Sequence, residues 1–402
     1  PPFLGGSVAP NIMFIIDDSG SMQFEMPETN DDRGTEYLFP PVSNMYGDGI
    51  YTRNIFTFSE NNRYSRYFRS SDNNPFFYDP TKTYEPWYRG DRSQWPDAPP
   101  DAAPYFPGRT ASGTLNLISE RTYDDWVEDD GDYDNNDDRN YWPITYYKLR
   151  SPNSDPWDKD SYFEYEIRGS TGYVKDLDSG NRVTVTEFVH DGVTRTVAEE
   201  AQNFANWFSY HRSRTLSARS GIGAAFSEQS EGMRVGYGRL NKNWSSVDGV
   251  NTSVIVNGVR VFKGSDREDF FTRLYTDEVP NAGTPLRNAL YRAGKYYERS
   301  DNAGPWAAEP GGNNDADHLE CRQSFTILMT DGYRSGSLSE NLGNVDGSDG
   351  DQIGDYKYEP TAPFEDDYDN TLADVAMHFW ARDLRDDLPN EVPVSQKEGN
   401  ID

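Results

Sequence analysis

The stretch "NIMFIIDDSGSMQFE", Asn11 to Glu25, decides how the rest of the chain is read. A short, mostly apolar run ends in Asp17-Asp18-Ser19-Gly20-Ser21. Such a run, bounded by turn residues, reads as a fully buried strand. Carboxylates and hydroxyls at its end suit either an edge turn or a cation site where the strand stops.

Periodicity supplies the partners of that strand. Met233 to Leu240 and Ser324 to Gly332 read as further strands, the second ending in "TDG". Ser253 to Phe262 reads as a hairpin turning at Asn257-Gly258. One or two helices are expected from Val197 to about Glu228, and one from Asn370 to about Leu384. In Thr284 to Arg299, the residues Leu286, Ala289, Leu290 and Ala293 recur at helical spacing, with Thr284 as the expected cap. Strands alternating with helices predict an α/β fold with a mostly parallel sheet.

Two stretches interrupt the pattern. About 175 residues, Met22 to Thr196, are inserted after the first strand and are rich in Tyr, Trp, Pro and Asp. A structureless loop of that length is improbable in a compact domain. The stretch therefore reads as a subdomain, strand-rich at 172–196, while residues 1–21 and 197–402 form the α/β domain. Tyr333 to Asp369 reads as a long ordered loop.

The chain carries 68 acidic and 38 basic residues, a formal net charge of −30. Nucleic-acid binding needs the opposite balance, as does attraction to an anionic membrane surface. Aromatic residues make up 14% of the chain, including 27 Tyr and 9 Trp, and argue for a folded protein. Cys321 is the single cysteine, so no disulfide forms within the chain. It is expected to be a buried thiol, with pairing to a cysteine outside this sequence as the alternative. No apolar run is long enough to span a membrane.

In an open α/β sheet, ligands bind at the carboxyl ends of the parallel strands. Asp17, Ser19 and Ser21 follow the first strand, Thr284 opens a helix, and Asp331 follows a later strand. All offer oxygen, the donor that Mg²⁺ prefers.

This three-part pattern, D-x-S-x-S, "GTPL" and "TDG", resembles the metal-ion-dependent adhesion site of von Willebrand factor A domains. The resemblance implies that Asp17, Ser19, Ser21, Thr284 and Asp331 hold Mg²⁺, or Mn²⁺ or Ca²⁺. One coordination position would stay open for a carboxylate of the ligand. Asp18 is expected to point away or to tune the site by its charge. More widely, "NPFFYDPTKTYEPW", "RVGYGRLN", "GTPLRNALYRAGKYY" and "YDNTLADVAMHFWARDLR" resemble the amino-terminal part of PilY-type proteins. These are type IV pilus assembly proteins and tip adhesins of Gram-negative bacteria. The resemblance implies an extracellular pilus-tip module, non-enzymatic, that contributes to pilus biogenesis, attachment and twitching motility. Its implied partners are minor pilins, a surface ligand with an acidic group, and a carboxyl-terminal propeller domain.

The adhesion-type fold needs a further strand after the last helix. The polar, Pro-broken stretch after Leu388 does not read as one, so either the final strand is missing from this chain, the favoured expectation, or a partner supplies it. "NVDGSDGDQIGD", Asn344 to Asp355, lacks the EF-hand Gly and Glu. It is a weak additional Ca²⁺ candidate through Asp346, Ser348 and Asp351. The acidic run Asp124 to Asp138 reads as a solvated loop, with weak Ca²⁺ binding as the alternative. A metal-dependent hydrolase lacks an evident general base. A chelatase-partner domain would not need the long Tyr-rich insertion.

Overall fold

A computed structural model describes residues 8–27, 34–128, 133–134, 138–312, 318–353 and 356–389. The chain forms two compact units. The first comprises Pro1–Ser19, Gln229–Arg273 and Ala282–Asp402. The second comprises Gly20–Glu228 and Leu274–Asn281. Residues 197–228, read from sequence as part of the α/β domain, thus group with the insertion.

In the first unit, β1 (Asn11–Ile16) lies between β2 (Arg234–Arg239) and β4 (Ser324–Met329), parallel to both. β3 (Ile255–Val261) adds to β2 antiparallel, giving a four-stranded sheet in the order β3-β2-β1-β4. All six residues of β1 are buried, because both faces of the strand are covered. Met13 and Ile15 pack with Leu286, Ala289 and Ala293 of the helix α2 (Leu286–Tyr297). On the other face Phe14 meets Phe270 of the preceding helix α1 (Gly264–Thr276) edge to face, ring centroids 6.5 Å apart. α3 (Leu372–Trp380) starts at Thr371, with a reciprocal capping box to Asp374. It packs close to α2, and a Cβ on Gly294 would lie 2.3 Å from the Phe379 ring.

Three local expectations are corrected. Asn257-Gly258 makes no turn; β3 continues through it, with a shift of register against β2 there. Gly258 instead permits close approach, since a Cβ there would meet Asp248 Oδ2 at 2.0 Å. The hairpin lies at Asp248-Gly249, where both residues have positive φ, 53° and 84°. Thr284 does not cap α2, whose N-cap position is Pro285 with no side-chain cap bond. Cys321 is half-buried rather than buried.

Among the described residues β4 pairs only with β1, and Ile327 on it is 42% exposed. The stretch in which a further strand was sought lies mostly at 390–402, outside the described residues. Residues 129–132 and 135–137 of the acidic run lie outside them too.

The second unit is held by aromatic residues. The Phe39 ring lies 5.1 Å from Phe208, 5.9 Å from Trp207 and 6.3 Å from Phe204. These three come from the helix Val197–Tyr210, and Phe77 stacks on Phe39 at 6.4 Å. The strand-rich end expected at 172–196 is present. A sheet runs through Thr145–Leu149, Tyr162–Arg168, Thr171–Asp176 and Arg182–Val185, followed by the hairpin Glu187–His190 and Val193–Thr196.

Inside this unit Arg212 and Glu25 form a fully buried ion pair, Nε to Oε1 2.5 Å. Glu25 Oε2 also accepts from Leu38 N at 2.6 Å and Phe39 N at 3.2 Å. Replacing Arg212 by Met leaves that carboxylate uncompensated. The expected cost is about 3–5 kcal/mol, read as a lower urea midpoint.

His190 gives a pH-dependent counterpart. Its Nε2 lies 3.0 Å from the Tyr146 hydroxyl, which donates to Glu200 Oε1 at 2.8 Å. Burial, aided by the nearby Lys148 charge, holds its pKa at about 4, below the ordinary 6.5. The unfolded chain therefore takes up the proton first. The contribution is fully present above pH 6.5 and is lost as pH falls toward 4. The loss is about 3 kcal/mol at most. In His190→Gln the fall of the urea midpoint between pH 7 and 4.5 should be shallower than in the parent.

Candidate metal centre

The carboxyl ends of β1 and β4 bring together the groups around Asp17. The β1–β4 ladder extends one residue further, with Asp17 N donating to Met329 O at 2.9 Å. The Asp17 side chain is buried. Its Oδ1 accepts from Ser19 N at 2.8 Å, closing the turn. Its Oδ2 accepts from the Thr330 hydroxyl at 2.6 Å. Burial raises the Asp17 pKa; the Ser19 and Thr330 hydrogen bonds oppose this, and the charge of Asp331 adds to it. The Thr330 hydroxyl also accepts from Gly332 N at 3.2 Å, which fixes the loop carrying Asp331.

Asp18, one residue on, has a separate set of partners. Its Oδ1 accepts from Asn241 N at 2.8 Å and Asn241 Nδ2 at 3.2 Å. Arg239 Nη1 lies 3.5 Å from Oδ2. Burial pushes Asp18 up to about 6, against the pull of Arg239 and Asn241. Asn241 Nδ2 also donates to Gly283 O at 2.8 Å. It thereby ties the end of β1 to the residue before Thr284.

Thr284 is buried and its backbone is clamped to Ser335. Thr284 N donates to Ser335 Oγ at 2.6 Å, and Ser335 N donates to Thr284 O at 2.9 Å. Gly283 permits this approach, since a Cβ there would lie 2.5 Å from Ser335 Oγ. Ser21 lies in the short 3₁₀ turn Gly20–Gln23, at the start of the second unit.

The structure thus bonds Asp17 to Ser19 and Thr330, places the Asp331 charge near enough to raise the Asp17 pKa, and holds Thr284 in a loop anchored to Asp18 through Asn241. Sequence reading did not single out Thr330, Asn241 or Ser335. Thr330 sits inside the "TDG" already noted, and its adjacency to Asp331 was the available signal. Asn241 and Ser335 act across loops, which no local spacing reveals.

The donor set fits a hard cation. Asp17 is a buried carboxylate close to a second one, and hydroxyls and carboxylates are the ligands Mg²⁺ takes. Among the described residues no three or more His, Cys, Asp or Glu side chains are grouped so as to hold a metal ion, so the remaining ligands here would be hydroxyls and water. The second candidate is organised differently. Asp346 is buried, Ser348 Oγ donates to Asn344 O at 2.7 Å, and Asp351 is exposed.

The chain is 29% identical, over 98% of its length, to the "Type IV pilus biogenesis factor PilY1" of Pseudomonas aeruginosa strain PAK. It is 30% identical, again over 98%, to the protein of that name from strain PAO1. It spans 29% of the length of each of these relatives. No family model matches the chain, and no solved structure matches it. No helix among the described residues is long and apolar enough to cross a membrane.

Two substitutions test the scaffold of the site. Asn241→Ala keeps the backbone donor to Asp18 Oδ1 but removes the Nδ2 bonds to Asp18 Oδ1 and Gly283 O, and should cost about 1 kcal/mol, measured by urea unfolding. Thr330→Val removes the donor to Asp17 Oδ2. It should lower the melting temperature in EDTA without changing secondary structure by circular dichroism.

Proposed function

We propose that the chain is a metal-dependent adhesion module of the von Willebrand factor A type, working in a type IV pilus protein. The observation that carries this reading is the Asp17–Thr330–Asp331 cluster at the carboxyl ends of β1 and β4, with Thr284 held by the neighbouring loop. The sheet order β3-β2-β1-β4 supports it, with ligand chemistry expected at that edge. The naming of the relatives as pilus biogenesis factors gives the biological setting.

In this reading Asp17, Ser19, Ser21, Thr284 and Asp331 hold Mg²⁺ or Mn²⁺. The ion supplies a positive charge that accepts a carboxylate from a partner. Thr330 and Ser19 N keep Asp17 oriented, and Asn241 and Ser335 keep the Thr284 loop in place. No general base is assigned and no reaction is proposed. The module would act outside the cell at the pilus tip, with minor pilins and an acidic surface ligand as partners. A carboxyl-terminal propeller belongs to the same proposal.

Calorimetry with Mn²⁺ on the parent and on Asp17→Ala tests the site. The parent should bind one ion and the variant should bind at least tenfold more weakly, a difference of about 1.4 kcal/mol or more. Equal affinity in the two would sink the assignment. A second reading follows from the relatives' name alone: the ion only stabilises an assembly module. Asp17→Ala in the full-length protein separates the two. Lost attachment with normal piliation supports adhesion, whereas lost piliation supports assembly.

A further inference from the structure

The loop after β4 and the helix α3 build a second feature, whose lining shares no residue with the Asp17 site. Asp374, in the first turn of α3, uses both carboxylate oxygens. Oδ2 accepts from Thr371 N at 2.7 Å and from the Thr371 hydroxyl at 2.9 Å. Oδ1 accepts from Val345 N at 2.6 Å and from Asp346 N at 3.3 Å. This draws Asp346 down to the start of the helix, where it is fully buried. The Asp346 carbonyl accepts from the Tyr358 hydroxyl at 2.7 Å, and Oδ1 accepts from Asp366 N at 3.3 Å. Oδ2 is buried and has no hydrogen-bond partner.

Asp346 forms part of the wall of a cavity of about 480 Å³. The rest of that wall is apolar or aromatic: Tyr358, Phe364, Ala376, Met377 and Trp380 are among its residues. Tyr358 and Trp380 meet edge to face with centroids 6.0 Å apart. Phe364 and Trp380 are 49% and 44% exposed, large fractions for such side chains. No lining residue is basic. The nearby Lys357 is engaged with Asp349 at 2.6 Å.

A buried carboxylate oxygen without a donor is costly, and a cation is the partner that relieves the cost. A divalent metal suits this wall poorly, because Ca²⁺ takes six or more oxygens and the cavity offers few. An ammonium on an aliphatic stem suits it well. The stem gains from Met377 and the aromatic rings, and aromatic faces attract the charged head. A single free oxygen also favours a compact ammonium over a guanidinium, whose planar fork is matched to two acceptors.

We propose that this cavity binds an aliphatic ammonium group, a lysine side chain or a free alkylamine, with Asp346 balancing its charge. Neighbouring Asp366, Glu365 and Asp374 add to the negative potential at the same place. They also raise the Asp346 pKa, after burial as the larger cause. The lining shares no residue with the Asp17 site, and the test is run in EDTA so that no divalent cation competes at either.

The test is calorimetric titration of the intact chain with n-pentylammonium and, as the neutral isostere, n-pentanol. Saturable binding of the ammonium, about tenfold or more tighter than the alcohol, is expected. Asp346→Asn should remove that preference and leave the alcohol unchanged. Ala376→Phe, which fills the cavity without altering Asp346, should abolish both. Equal affinity for the two probes, or an ammonium preference that survives Asp346→Asn, would overturn the proposal. So would the absence of saturable binding by the parent. If Asp346→Asn does not fold, loss of the ammonium preference in Ala376→Phe carries the test, and its persistence overturns the proposal. Nα-acetyl-lysine methylamide forms a second arm. Affinity equal to pentylammonium identifies a lysine side chain as the source, and tighter pentylammonium identifies a free amine.

Discussion

Two consecutive carboxylates, Asp17 and Asp18, are buried at the end of a strand that is itself buried on both faces. Burial of an ionised carboxylate is costly unless hydrogen bonds or opposite charge compensate it. The surrounding loops follow from that requirement. Successive residues of a strand face opposite ways, so the two side chains recruit different partners. Asp17 draws the β4 exit through Thr330. Asp18 draws the β2 exit through Arg239 and Asn241. Three loops that are distant in sequence are thereby fixed to one another at a single sheet edge.

The second unit meets the entropy cost of ordering a long insertion by other means. Aliphatic residues are scarce there, and each buried ring removes a large apolar area from water. Rings also leave polar atoms to satisfy. The Trp87 indole N–H donates to Tyr210 O at 2.9 Å, and the Trp207 indole N–H donates to Phe76 O at 3.1 Å. Asn203 and Asn206 on the same helix bond loop backbone, as Asn203 Nδ2 does to Lys82 O at 2.9 Å. A loop-rich subdomain of this kind depends on side-chain to backbone bonds where a sheet would use its own ladder.

Much of the first unit was legible because its signals are local. The apolar run of β1, the "TDG" after β4 and the periodicity of α2 need only a short window. The misreadings share a cause. Asn257-Gly258 has turn chemistry, yet Gly258 is required by the approach of Asp248 and Tyr296 from elsewhere. Thr284 has cap chemistry, yet Ser335 holds its backbone out of the helix. Residues 197–228 carry helical periodicity that reports an apolar face without naming what covers it. Their partners, Phe39 and Phe77 among them, come from the insertion.

The same geometry bears on what an ion at this edge would do to the fold. Asp17, Thr284 and Asp331 are held by three separate loops, and each loop is anchored by a few hydrogen bonds. Any ligand that binds only the assembled arrangement adds its binding free energy to folding, by RT ln(1 + [L]/Kd). An ion present at a hundredfold excess over its dissociation constant would contribute about 2.7 kcal/mol. That exceeds the net worth of one ordinary hydrogen bond, about 1 kcal/mol. Ion occupancy and loop order at this edge would therefore be coupled, and the bonds of Thr330, Asn241 and Ser335 are those through which the coupling would run.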